Sequence, residues 1–102
     1  MKYSHNYSKL DNTIYTTIRR YHKGNVGNLI LETYPAGSHY AKIIKIERKS
    51  LDAISLMVLK LDTDLNNRTQ IYDLFQSFYQ KPIDFANEKF YLYHIKKELE
   101  AE

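Results

Sequence analysis

Residues 2–7 alternate tyrosine with polar side chains, a period that predicts an edge strand. Across residues 9–21, Leu10, Ile14, Ile18 and Tyr21 recur at near-helical spacing, while Thr13, Thr16 and Thr17 are β-branched and lower helix propensity. The pattern predicts a short helix passing into an extended segment over residues 17–21. Gly24 and Gly27 bracket a turn, and residues 28–34 read as a strand with Leu29 and Leu31 on one face and Ile30 on the other. Pro35, Ala36 and Gly37 supply the next turn. Residues 41–48 carry the clearest strand signal, with Ile43, Ile44 and Ile46 set among Lys42, Lys45 and Arg48.

Ser50 is a good N-cap for a helix whose stripe is Leu51, Ile54, Val58 and Leu61, and Asp52 suits its positive start. A stronger amphipathic helix follows the polar stretch 63–68, with Ile71, Leu74, Phe75, Phe78 and Tyr79 on one side and Pro82 as its stop. Residues 89–97 form the last strand, and the charged residues 98–102 are expected to fray.

The order of elements predicts an α+β fold, a small mixed β-sheet or barrel flanked by two or three helices, in a single domain over residues 1–102. Each of the halves 1–40 and 41–102 can be drawn as a β-α-β-like unit. Two echoes favour that drawing: Lys9-Leu10-Asp11 recurs as Lys60-Leu61-Asp62, and Ile14-Tyr15 recurs as Ile71-Tyr72. The two offsets differ, so a duplication would need insertions.

Length agrees with one domain, since 102 residues are too few for two ordinary ones. No apolar run approaches the roughly 20 residues of a membrane-spanning helix, and residues 1–5 are not followed by the apolar core of a signal peptide. A cytoplasmic protein with no membrane partner is the expectation. The absence of cysteine removes disulfides, thiolate zinc sites, iron–sulfur clusters and a Cys nucleophile together. Charge is unevenly placed: residues 1–50 hold nine Lys and Arg against three Asp and Glu, and residues 51–102 hold six against nine. A basic first half suggests an anionic partner on one face. Ten tyrosines and no tryptophan suit a half-wet core, a groove or a stacking platform.

His5, His22, His39 and His94 lack the spacing of metal ligands, Gly24-Asn25-Val26-Gly27 leads into a strand rather than a phosphate-cradling helix, and no Ser occupies a nucleophile elbow. Neither a metal nor a cofactor is expected. The segment that carries chemistry is Thr16-Thr17-Ile18-Arg19-Arg20-Tyr21-His22-Lys23. Guanidinium groups fork two phosphate oxygens, hydroxyls complete the shell, and Tyr21 can stack a base. The competing reading is that Arg19 pins the fold by pairing with a carboxylate of the acidic second half.

Thr17-Ile18-Arg19, the Gly27-Asn28 turn into a hydrophobic strand, the strand Ala41-Lys42-Ile43-Ile44-Lys45-Ile46, the 51–61 segment and an aromatic helix before a final strand together resemble an ASCH domain over nearly the whole chain. The resemblance implies a PUA-like barrel with flanking helices and RNA binding in a cleft at the T-x-R segment. Small ASCH-like proteins occur in hyperthermophilic archaea and their viruses, where the cytoplasm would be the host's. Two departures stand out. The family's usual Gly-Asp turn is Gly27-Asn28 here, and the lysine with which some members hydrolyse acetylated cytidine is replaced by Ile14, which cannot act as nucleophile, acid or base. That activity is not carried over.

The expected function is non-enzymatic binding of RNA or single-stranded nucleic acid through Thr17, Arg19, Arg20, Tyr21, Lys23, Lys42 and Lys45. Two alternatives stand beside it. One is a protein interaction module that takes an extended peptide in a groove between two similar halves. The other is a small nuclease with Arg19 as electrophile and His22 or Glu47 as base. A homodimer through the last strand is left open.

Overall fold

The computed structural model describes residues 1–98. Its strands are β1 (Ile14–Arg19), β2 (Leu29–Tyr34), β3 (Gly37–Ser50) and β4 (Lys89–Lys97), and its helices are α1 (Leu56–Thr63) and α2 (Arg68–Ser77). The four strands form one curled half-barrel sheet in the order β1-β4-β3-β2, with antiparallel pairing throughout. The expected α+β class holds. The two halves are not β-α-β units, however: β1 and β2 are joined without a helix and do not pair, while β3 and β4 are antiparallel neighbours. β4 is paired on both sides, so a homodimer through its edge is closed off.

Where a helix is predicted around Leu10 and Ile14, the chain instead makes a 3-10 turn, Ser8–Asp11, and then enters β1. A spacing of four residues returns to the same side of a strand as well as of a helix, so Ile14 and Ile18 satisfy either period. The β-branched residues of this stretch decide the outcome. The expected N-terminal edge strand shrinks to one parallel bridge, Lys2 to Thr33, fixed by Tyr3 N donating to Thr33 O at 2.8 Å and Thr33 N donating to Met1 O at 2.8 Å.

The helix expected from residue 51 is divided. Ser50 caps only a 3-10 turn, Leu51–Ala53, the chain extends at Ile54, and Ser55 caps α1 by accepting from Val58 N at 3.3 Å. This restart resets the helical phase, so Leu59 is buried while Leu61 is 61% exposed. Arg68, at the start of α2, donates to the carbonyls of Leu51 at 3.5 Å and Ile54 at 3.0 Å and so satisfies the turn between the two caps.

Two cores lie on the two faces of the sheet. On one face Tyr15, Ala41, Ile43, Tyr93 and Ile95 meet Tyr3 and Leu10 of the N-terminal segment. On the other, Ile18, Phe90 and Leu92 meet Leu51, Ile54, Leu59, Ile71, Phe75 and Ile83 from the helical region. The sheet does not close into a barrel. β1 therefore keeps a free edge, with the N-terminal segment on one side of it and the helices on the other. Among the described residues no helix is long and apolar enough to cross a membrane.

Candidate functional site

The free edge of β1 opens onto a recess of about 230 Å³. The N-terminal segment supplies Lys2, Tyr3, Ser4, Tyr7 and Lys9 to its wall; β1 and the loop after it supply Ile18, Arg19, Tyr21 and Lys23; α1 adds Asp62, and α2 with the residues just past its end adds Phe75, Phe78 and Tyr79. Three chain segments far apart in sequence converge here because the strand they flank has no neighbour on that side.

Arg19 stands at the rim of the recess, half-buried. Its Nε donates to Thr17 Oγ1 at 3.3 Å, one Nη donates to Lys2 O at 3.2 Å, and the guanidinium lies 4.8 Å from the centre of the Tyr3 ring. It forms no ion pair among the described residues. The fold-pinning role falls on its neighbour Arg20 instead. Strand alternation turns Arg20 away from Arg19, and its guanidinium meets Glu88 at 2.6 and 2.9 Å and donates to Lys81 O at 3.0 Å and Pro82 O at 3.1 Å. That side chain clamps the loop behind α2 to the end of β1 and has little left for a ligand.

The other expected contacts divide the same way. Tyr21 is exposed at the rim, edge-on to Tyr79 with ring centres 6.0 Å apart. Lys23 also reaches the recess, and its backbone N donates to the Tyr93 hydroxyl at 2.6 Å. Thr17 is buried and acts by holding Arg19. Lys42 and Lys45 lie elsewhere: both are on β3, Lys42 is 3.6 Å from Glu98 and Lys45 is 3.8 Å from Glu47, and neither reaches the recess. The register separates them from Arg19: Lys45 is opposite His94, which is opposite Thr16, so it projects from the other face, and Lys42 is opposite Lys96, which is opposite Ile14 at the far end of β1. Of the two bases considered for a nuclease, His22 packs edge-on against Tyr91, the residue opposite Arg19, with ring centres 5.6 Å apart, whereas Glu47 is set apart from Arg19. Glu47 is opposite Leu92, which is opposite Ile18, so Glu47 projects from the sheet face that Arg19 avoids, where His94 holds it at 2.8 Å.

At the floor of the recess is a pair that sequence reasoning did not reach. Lys9 Nζ donates to Asp62 Oδ1 at 2.9 Å, and Thr16 Oγ1 donates to the same oxygen at 3.2 Å. The rings of Tyr3 and Tyr7 lie 5.1 and 5.4 Å from the ammonium. Burial pushes the Lys9 pKa down, and Asp62 pulls it back in part. Lys9-Leu10-Asp11 and Lys60-Leu61-Asp62 are the tripeptides of the sequence echo. The structure joins the lysine of the first to the aspartate of the second, while Asp11 and Lys60 face solvent.

Behind Tyr3 a buried network continues inward. Tyr3 and Tyr15 donate to Glu32 Oε1 at 2.8 and 3.0 Å, and the other carboxylate oxygen is 2.8 Å from the N-terminal ammonium, a charge contact made without hydrogen-bond alignment. His39 links the Tyr15 hydroxyl at 2.8 Å to the Tyr34 hydroxyl at 3.1 Å. Burial and the carboxylate of Glu32 hold both Tyr3 and Tyr15 in the phenol form far above their ordinary range.

No protein-family profile matches the chain, and no solved structure matches it. It is similar to an uncharacterised protein, MJ0364 of Methanocaldococcus jannaschii, with 34% identity over 88 residues that span 76% of this chain and 77% of that protein.

Proposed function

The chain belongs to the family of the archaeal protein MJ0364, and for it we propose a non-enzymatic binding module of the ASCH, PUA-like kind that holds RNA or another single strand in the recess beside β1, in the cytoplasm. The observation that carries this reading is the state of Arg19. Its guanidinium has no carboxylate partner among the described residues, is steadied from behind by Thr17 and Tyr3, and faces a recess large enough for one nucleotide's base or phosphate.

Lys9 and Asp62 cancel one another at the floor, so the field at the mouth is set by Lys2, Arg19 and Lys23. A phosphate would sit in the fork of Arg19, with the two lysines supplying long-range attraction. The exposed Tyr21 ring offers a stacking surface at the same rim. Ile14 is 57% exposed, an apolar side chain where the amidohydrolase relatives carry their lysine, which favours binding over hydrolysis. A peptide-binding reading draws on a different place, the outer strand β2 and its neighbour, where Leu29, Leu31 and Tyr40 are exposed around a second, more open recess of about 540 Å³.

Fluorescence anisotropy with a labelled single-stranded RNA at low salt tests the proposal. Arg19→Ala is expected to weaken binding about tenfold and to flatten the dependence of log affinity on log salt by about 0.7, the share of one phosphate on a single strand. An affinity unchanged by Arg19→Ala, or no binding by the native chain in low salt, overturns it.

A further inference from the structure

The chain has four arginines, and the fold uses two of them. Arg20 is tied to Glu88, and Arg68 to the carbonyls of Leu51 and Ile54 and the hydroxyl of Tyr72. The other two, Arg19 and Arg48, form no ion pair among the described residues. Each lies against a tyrosine instead, Arg19 at 4.8 Å from the Tyr3 ring centre and Arg48 at 4.0 Å from that of Tyr91.

Strand register places these groups in one line. Arg19 is directly opposite Tyr91 across β1 and β4, and Arg48 is directly opposite Tyr91 across β4 and β3. Residues paired in this way project from the same face of a sheet. Guanidinium, phenol and guanidinium therefore stand side by side at the end of the sheet where Arg19 meets the recess. The two arginine backbones are two strand spacings apart, about 10 Å. His22 adds its ring edge-on to Tyr91 with centres 5.6 Å apart. Arg48 is exposed and, among the described residues, gives one hydrogen bond, to Lys89 O at 3.2 Å, so most of its donors remain available. The nearby carboxylates do not intrude: Glu47 leaves from the opposite face toward His94, and Glu88 holds Arg20.

We infer that this row is a second contact surface, continuous with the recess, that takes the following nucleotides of a single strand as they leave Arg19. The inference rests on reading the recess as a nucleic-acid site. Arg48 grips a backbone phosphate, and its guanidinium, held 4.0 Å from the Tyr91 ring centre, meets an unpaired base. A cation held in place by a ring loses little freedom on binding, and alternating cations and rings match the alternating phosphates and bases of an unstacked strand. A duplex keeps its base faces inside and offers nothing for the row to stack on.

The native chain and its Arg48→Ala, Arg48→Lys and Arg19→Ala variants would be titrated at low salt with a uridine-only RNA hexamer and with uridine 5′-monophosphate. Melting curves would confirm that each variant folds. Arg48→Ala is expected to weaken the hexamer about tenfold, to lower its salt slope by about 0.7, and to leave the mononucleotide unaffected, since one nucleotide fills only the recess. Arg48→Lys is expected to keep the salt slope but not the full affinity, because a lysine carries the charge without the plane. If Arg48→Ala binds the hexamer as tightly as the native chain while Arg19→Ala does not, the row is overturned and the recess stands. If Arg48→Ala weakens mononucleotide and hexamer alike, the row is likewise overturned. If the native chain binds neither ligand, both readings fall.

Discussion

Lys9 and Asp62 form an ion pair at 2.9 Å with side chains only 4% and 6% exposed, and it joins the N-terminal turn to α1 beneath the recess. A buried pair of this kind is far more costly to break than to replace. Asp62→Asn leaves the Lys9 ammonium buried without its counter-charge and is expected to cost about 3–5 kcal/mol. Lys9→Met combined with Asp62→Leu is expected to recover most of that, because both charges then leave together. Urea unfolding of the two variants measures the difference, and a loss below about 1 kcal/mol for Asp62→Asn alone would show the pair to be solvated.

His39 predicts a direction for the effect of acid. Burial, and then the charge of Lys97, push its pKa below the ordinary value of 6.5, with Glu32 opposing. The unfolded chain therefore takes up a proton at a pH where the folded chain does not, and stability falls as pH drops through about 6.5 toward the lower folded value. The melting temperature is expected to decline from pH 7.5 to pH 5. His39→Gln removes the titrating group and is expected to flatten that slope; an equal slope in the variant would assign it to other groups.

Arg19 and Arg20 are adjacent in sequence and opposite in use. Arg20→Ala unclasps Glu88 and the carbonyls of Lys81 and Pro82, so it is expected to lower the melting temperature while leaving RNA affinity nearly intact. Arg19→Ala is expected to do the reverse, shifting the melting temperature by about 4 °C or less. Paired melting and anisotropy measurements check the contrast, and a large binding loss in Arg20→Ala would contradict it.

The Gly27-Asn28 turn differs from the Gly-Asp turn of the ASCH domains that the sequence resembles only in charge. Asn28 Oδ1 accepts from Asn25 N at 2.8 Å, which an aspartate oxygen does equally well. Asn28→Asp is expected to change stability by no more than about 0.5 kcal/mol. Gly27 has φ of 90° with open space around its Cα, so Gly27→Ala meets backbone strain rather than a clash and is expected to cost about 1 kcal/mol. Thermal unfolding of both variants decides.

Much of the fold was legible because its signals were local. The strand signals of residues 28–34, 41–48 and 89–97 fall on β2 (Leu29–Tyr34), within β3 (Gly37–Ser50) and on β4 (Lys89–Lys97), and the aromatic stripe from Ile71 to Phe75 marks α2. Reading failed where one spacing served two periods, as at Ile14 and Ile18, and where two capping serines, Ser50 and Ser55, followed so closely that the helical phase restarted. At the site, sequence singled out Arg19, Tyr21 and Lys23, which share one rim, but it joined to them Lys42 and Lys45, which the strand register places elsewhere on the sheet. Lys9 and Asp62 were beyond reach because their meeting depends on a tertiary crossing between residues 53 apart. The same is true of Arg48, whose place beside Arg19 follows from the strand that comes between them.

That intervening strand also fixes when the site comes into being. Among the described residues β1 pairs with β4 alone, and β4 is synthesised after the other three. A nascent chain still on the ribosome can fold the β2–β3 hairpin, but Arg19 and Arg48 acquire their common row only once residue 97 has emerged and slid between their strands. A chain truncated before residue 89 would therefore lose the pairing that holds β1 and, with it, the recess and the row in one step.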